Sequence, residues 1–236
     1  MSAASDVGRR LSEVEDRIDA ACLRAGRRVE EVTLVGVSKM QPVQALDAAW
    51  QAGLRVFGEN RVQEALVKAP QLPTEIDWHL IGPLQTNKVR KAVGLFSTIH
   101  SIDRLKIARA IDRVSAEEGV VRRGFLEVNI GGEASKHGFS PEQLTDSAVA
   151  VAALDHLEIV GLMVIPPWGV EPEISRGWFQ QLALLRDDLA RSGIFGDWPG
   201  YLSMGMSGDF EVAIEEGATH VRVGTGIFGP RVQGGA

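Results

Sequence analysis

Eight short apolar runs, separated by segments of helical character in almost every interval, constrain this 236-residue chain more than any other feature. The runs fall at 34–39, 54–58, 77–81, 96–100, 124–129, 159–164, 201–204 and 220–224. Each is too short for a helix, and several are rich in β-branched residues and stop at Gly or Pro, so they read as buried strands. The intervals read as helices over 42–52, 60–68, 85–93, 103–118, 141–154, 173–191 and 207–216, with Asp103 as the cap of the fourth of these. One more helix precedes the first strand. Val7, Leu11, Val14, Ile18 and Cys22 recur there at three- and four-residue spacing, Ser5 or Asp6 serves as cap, and the end falls near Gly26. Strict alternation implies parallel strands joined by crossover helices. Eight such units close into a barrel, for which about 250 residues is typical. An open doubly wound sheet also alternates, but the early glycine fingerprint of its dinucleotide-binding form is missing. The expected fold is therefore α/β, a single (β/α)8 TIM barrel with an extra N-terminal helix. It forms one domain over 1–236, with 232–236 as a loose tail.

Composition narrows the partners. A formal net charge of −6 argues against a nucleic acid or an anionic membrane surface, although a local site for a phosphate is compatible with it. The single cysteine, Cys22, rules out an intrachain disulfide and reads as a small packed residue on the first helix. The N-terminal residues lack a basic stretch followed by an apolar core, and no apolar run is long enough to span a bilayer, so a cytoplasmic protein is expected.

In a barrel of this kind chemistry sits at the C-terminal ends of the strands. Those ends carry Lys39, Glu59 with Asn60, Gly82 with Pro83, His100, Asn129, the 204–207 stretch ending in Ser207, and Gly224-Thr225-Gly226. A lysine leaving a core strand either snorkels to solvent or serves as an amine with a lowered pKa that attacks carbonyls. Phosphate groups in these barrels settle between the loops after strands seven and eight. Ser207, read as the cap of the next helix, and the glycine-flanked Thr225 suit a dianion there, or else simply make a cap and a turn. Arg222 lies between Val221 and Val223, which face the helices, so it points into the barrel. It needs an acceptor there, either a carboxylate such as Glu127 or a ligand. His79 and His100 have no metal-ligand spacing, and no metal site is expected. Ser38, Ser203 and Ser207 lack the G-x-S-x-G elbow of a serine hydrolase.

Six stretches taken together closely resemble one family. They are Val37-Ser38-Lys39, Phe57-Gly58-Glu59-Asn60, the stretch from Trp78 to Gln85, Glu133-Ala134-Ser135-Lys136, the stretch from Leu202 to Ser207, and the stretch from Val223 to Gly229. In this order they resemble the pyridoxal phosphate homeostasis protein family, over about Val32 to Arg231. The resemblance implies a barrel like the N-terminal domain of alanine racemase, with pyridoxal 5'-phosphate (PLP) held as a Schiff base. It implies Lys39 as the Schiff-base lysine and Ser207, Gly224 and Thr225 as the phosphate site. Arg222 would be the partner of the pyridine nitrogen, and Asn60 a residue close to the cofactor. An arginine there keeps the pyridine nitrogen unprotonated and makes the ring a poor electron sink. One position departs from the family, where a second lysine often follows two residues after the first and this chain has Gln41.

Two classes of function follow from the resemblance. One is a carrier or buffer of PLP without turnover, taking part in vitamin B6 homeostasis and delivering PLP to apo forms of dependent enzymes. The other is an amino-acid racemase. Two-base racemization needs a second proton donor facing the lysine, which the related racemase supplies as a tyrosine from an additional β domain. This chain ends just after strand eight, and its only tyrosine, Tyr201, begins strand seven at the opposite end of the barrel. The carrier, as a monomer, is the expectation.

Overall fold

The computed structural model describes residues 3–132, 137–167 and 169–230. Glu133-Ala134-Ser135-Lys136 and the 232–236 tail lie outside the described residues. Eight parallel strands close into a barrel in sequence order, β1 (Thr33–Val37), β2 (Val56–Glu59), β3 (Asp77–Leu80), β4 (Thr98–Ile102), β5 (Arg122–Glu127), β6 (Leu157–Met163), β7 (Tyr201–Met206) and β8 (His220–Val223). Closure is made by β1 against β8, where Val35 is level with Arg222. The first helix, α1 (Ala3–Arg24), is followed by α2 (Val43–Gln51), α3 (Val62–Lys68), α4 (Val89–Val93), α5 (Leu105–Glu117), α6 (Pro141–Ala152), α7 (Pro172–Arg191), α8 (Phe210–Glu215) and a short α9 (Thr225–Phe228). No described helix is long and apolar enough to cross a membrane.

Alternation along each strand sorts the side chains. Outward residues such as Leu34, Phe57, Trp78, Leu80, Ile99, Leu126, Leu202, Val221 and Val223 join the helices in one large apolar shell. The α1 stripe of Val7, Leu11, Val14, Ile18 and Cys22 is buried in the same shell, as its periodicity predicts. Fully burying one such aliphatic side chain is worth about 1.5–3 kcal/mol, so this stripe fixes α1 to the barrel wall. Inward residues make two small apolar clusters, Val35, Val37 and Ile81 on one side and Phe125, Val160 and Met163 on the other. Polar groups fill the rest of the interior.

Four local expectations are corrected. The first helix begins at Ala3, so Ser5 and Asp6 lie inside it rather than at its cap. β4 begins at Thr98 and runs to Ile102, because the stretch before it turns on Gly94 and Leu95, so His100 lies mid-strand inside the barrel and not at its exit. Asp103 is not the cap of α5, since Arg104 holds that position, and its buried carboxylate pairs with Arg104 and His137. The helix expected from Ser207 begins only at Phe210.

Candidate functional site

The C-terminal mouth begins at Lys39. Val35 and Val37 face inward, and Lys39 is next in that alternation, half-buried just beyond the end of β1. The backbone on both sides of it is tied down. Met40 has φ +60°, a left-handed conformation that non-glycine residues rarely adopt, and its N–H donates to Glu64 Oε1. On the other side, the Ser38 carbonyl accepts from Lys68 Nζ at 2.8 Å, and Ser38 Oγ donates to Glu59 Oε1 at 2.7 Å. Lys68 also reaches Glu59 at 2.7 Å and Glu64 at 2.6 Å. Both Glu59 and Lys68 are buried, and burial pushes the Glu59 carboxyl up even though Lys68 opposes this. A buried charge cluster therefore brackets the lysine from beneath. The i, i+4 spacing of Glu64 and Lys68 on α3 was a visible hint of part of it.

Arg222 points into the barrel, as the alternation of β8 requires. It is only 4% exposed, and it donates through Nη1 to Ser203 Oγ at 2.7 Å and through Nη2 to the Val164 carbonyl at 2.9 Å. The alternative ion pair with Glu127 does not form; among the described residues no carboxylate is within ion-pair reach of Arg222. Burial lowers its pKa to about 10, which leaves it cationic at neutral pH. Behind it runs a column of hydrogen bonds. Ser203 Oγ meets His100 Nδ1 at 2.7 Å, His100 Nε2 meets His79 Nδ1 at 2.9 Å, and His79 Nε2 meets Asp77 Oδ2 at 3.3 Å. A guanidinium only donates and a carboxylate only accepts, so the network fixes the tautomers between them. Ser203 accepts from Arg222 and donates to His100, and each imidazole then donates onward from Nε2. His100 stays neutral because burial, with His79 adding to it, lowers its pKa well below the usual histidine range. Sequence spacing alone did not show that these two histidines share one column.

The loops after β7 and β8 meet at Ser207. Its Oγ accepts from the backbone N–H of Gly224 at 3.2 Å and of Gly226 at 3.4 Å. Ser207 thus ties the two loops together instead of capping α8, and Asp209 takes over the local turn by accepting from the Met206 N–H at 2.7 Å. Gly205 has φ +89°, and a Cβ there would lie 2.6 Å from the Ala213 Cβ, so the bend that delivers Ser207 requires glycine. Gly226 is limited by space alone, because a Cβ would approach Val223 Cγ1 to 2.8 Å. Thr225 is exposed beside this cradle, in which Ser207 Oγ accepts both backbone N–H groups and keeps its own hydrogen to donate.

Asn60 follows β2 and lines a cavity of about 250 Å³ on the β3–β6 side of the mouth, together with Ile81, Glu127, Val164 and Trp178. Lys39, Arg222, Ser207, Gly224 and Thr225 lie outside that lining, on β1, β7 and β8. This cavity adjoins the Lys39, Arg222 and Ser207 side of the mouth, and the two meet where Arg222 donates to the Val164 carbonyl. Glu127, at the end of β5, was considered from sequence only as a partner for Arg222; burial, with Asp103 adding to it, pushes its carboxyl up to about 7. At the opposite end of the barrel, Tyr201 lines a smaller cavity with Asp77, His79, Arg123 and His220, where its place at the start of β7 predicts it.

The chain and its fold have close counterparts. The family model for the alanine racemase N-terminal domain matches residues 15–232. A pyridoxal phosphate homeostasis protein of Aquifex aeolicus is 45% identical over 94% of this chain and 97% of its own length. Its namesake from Escherichia coli K12 is 41% identical over 96% and 97%. The PipY protein of Synechococcus elongatus, in a structure with PLP bound, superposes with a TM-score of 0.81 at 36% identity, covering 94% of this chain and all of that one. An alanine racemase of Clostridium difficile shares the fold at 14% identity, TM-score 0.72, with 56% of its chain covered. On these matches, made along almost its whole length, the chain belongs to the pyridoxal phosphate homeostasis protein family.

Proposed function

We propose that this protein holds PLP at the C-terminal mouth of its barrel and serves intracellular PLP homeostasis as a carrier or buffer without turnover. The observation that carries the reading is a buried guanidinium, Arg222, with no carboxylate in reach among the described residues, set beside the Ser207 cradle. Its two acceptors, Ser203 Oγ and the Val164 carbonyl, are neutral, so the charge and the remaining N–H groups call for a further acceptor. Bound PLP supplies an electrophilic aldehyde carbon. Lys39 supplies the amine that joins it, and the pinned backbone on either side limits where that amine can go. Ser207, Gly224 and Thr225 receive the phosphate, through hydroxyls and through the Gly224 N–H once it turns from Ser207 Oγ to the ligand, and Asn60 borders the ring from β2. Arg222 faces the pyridine nitrogen as a permanent donor. It cannot give up a proton at neutral pH, so the ring gains little power to withdraw electrons. That choice suits storage better than carbanion chemistry. Tyr201, the only tyrosine, stands at the other end of the barrel and cannot supply a second base at the mouth.

The matching relatives carry the homeostasis name, and the racemases share the fold alone. A monomer acting in the cytoplasm, with apo forms of PLP-dependent enzymes as recipients, completes the proposal. The test is direct. Purified protein mixed with PLP and reduced with borohydride should gain one pyridoxyl mass on Lys39, and Lys39→Ala should lose both the label and the visible absorption while keeping its far-ultraviolet dichroism. Label on another lysine, or robust racemization of several amino acids, would defeat the reading.

A further inference from the structure

We infer that the cavity on the β3–β6 side of the mouth is a binding site for a small primary amine with an apolar body, held by the Glu127 carboxylate. Three observations carry this. First, Glu127 is half-buried at the end of β5 and lines the cavity, yet among the described residues its carboxylate has no hydrogen-bond or ion-pair partner. The guanidinium nearest in the barrel, Arg222, is committed to Ser203 and Val164. Second, the walls are largely apolar, with Ile81, Val164, Pro166 and Trp178 among them, and Asn60, Asn129 and His137 add the polar groups. A carboxylate in such surroundings gains most from an ammonium whose carbon body covers the walls. Third, the cavity is about 250 Å³, room for a compound of a few carbons, and no group of three or more metal-ligating residues exists among the described residues to favour a metal ion instead.

The charges around Glu127 are Asp103 from the loop after β4, His137 from the loop after β5, and Arg222 from β8. Asp103 is itself paired with Arg104 and His137, so Glu127 is the carboxylate left for a ligand. The inference rests on the carrier reading for its use. An amine bound here stands beside the Lys39 side of the mouth, from which an aldehyde is to be handed on.

The experiment titrates the cofactor-free full-length chain with n-butylamine, butan-1-ol and butyrate, followed by calorimetry and by amide chemical shifts. Butylamine should bind about tenfold or more tighter than butan-1-ol, and butyrate should be excluded. Glu127→Gln should erase the preference with an unchanged melting midpoint. In the unaltered chain the amine affinity should rise about tenfold from pH 6 to pH 8, as a carboxyl of pKa about 7 ionises. This pH series keeps the test sound even if the glutamine variant folds poorly. Equal binding of amine and alcohol, or an amine affinity indifferent to both pH and Glu127→Gln, would overturn the inference. Lys39→Ala should leave amine binding intact, so failure of the covalent PLP reading would show in the borohydride experiment and not here.

Discussion

Removing the cation beneath Lys39 should be far more damaging than the position of Lys68 on a surface helix suggests. Its Nζ makes three contacts, at 2.8 Å to the Ser38 carbonyl, 2.7 Å to Glu59 and 2.6 Å to Glu64, and Glu59 is fully buried. Lys68→Met preserves most of the volume and leaves the Glu59 charge without compensation. Breaking a buried pair on one side costs about 3–5 kcal/mol, a large part of the about 5–15 kcal/mol that holds a typical domain together. The penalty should depend on pH in a defined sense. The folded Glu59 carboxyl already lies above its ordinary value, and losing Lys68 removes the opposing influence, so it rises further. A carboxyl raised on folding stabilises when protonated and loses that stability as pH rises through its folded pKa. The cost of Lys68→Met should therefore be largest at pH 8 and shrink toward pH 5. Adding Glu59→Gln should recover most of the loss, because the two residues are directly coupled and a neutral pair needs no cation. Urea unfolding at both pH values, read by circular dichroism, measures all of this. A Lys68→Met cost below about 1 kcal/mol at pH 8, or no recovery in the double variant, would refute the claim that this cluster holds the bracket around Lys39.

Two further outcomes follow from the site and the barrel interior. Ser207→Ala should weaken retention of PLP by about tenfold while leaving reaction with phosphate-free pyridoxal nearly unchanged, as competition dialysis would show. Equal losses for both aldehydes would place the phosphate elsewhere. His220 is held neutral in the fold, with burial first and His79 second lowering its pKa to about 3. Its contribution is thus complete above about pH 6.5 and is lost as pH falls toward 3, so His220→Gln should flatten the decline of the unfolding midpoint between pH 6.5 and 4. An unchanged slope would show that other groups govern acid stability.

Much of this was legible in the sequence because the barrel is written in a period-2 and period-3.6 code. The inward aim of Arg222 follows from Val221 and Val223 alone, and the α1 stripe from its spacing. What the sequence hid was contact between distant strands. Glu59 and Lys68 belong to neighbouring elements, but that both are buried against Ser38 depends on how α3 lies on β2. His100 was assigned to a strand end because an apolar run at 96–100 does not reveal that Phe96 packs in the outer shell before the strand begins. The role of Ser207 was half readable. Its place in the loop after β7 was clear, whereas its tie to Gly224 and Gly226 needs the closure of the barrel.

The column from Arg222 to Asp77 has one orientation, with every link pointing from cation to carboxylate. Arg222, the group proposed to face the cofactor ring, is therefore matched to a residue at the far floor of the barrel. Exchanging Arg222 for an acceptor would strand Ser203 between two takers unless both imidazoles turned over and Asp77 became a giver. A protein built this way cannot drift toward stronger ring activation one residue at a time, and nitrogen shifts of the two histidines would report any such reversal.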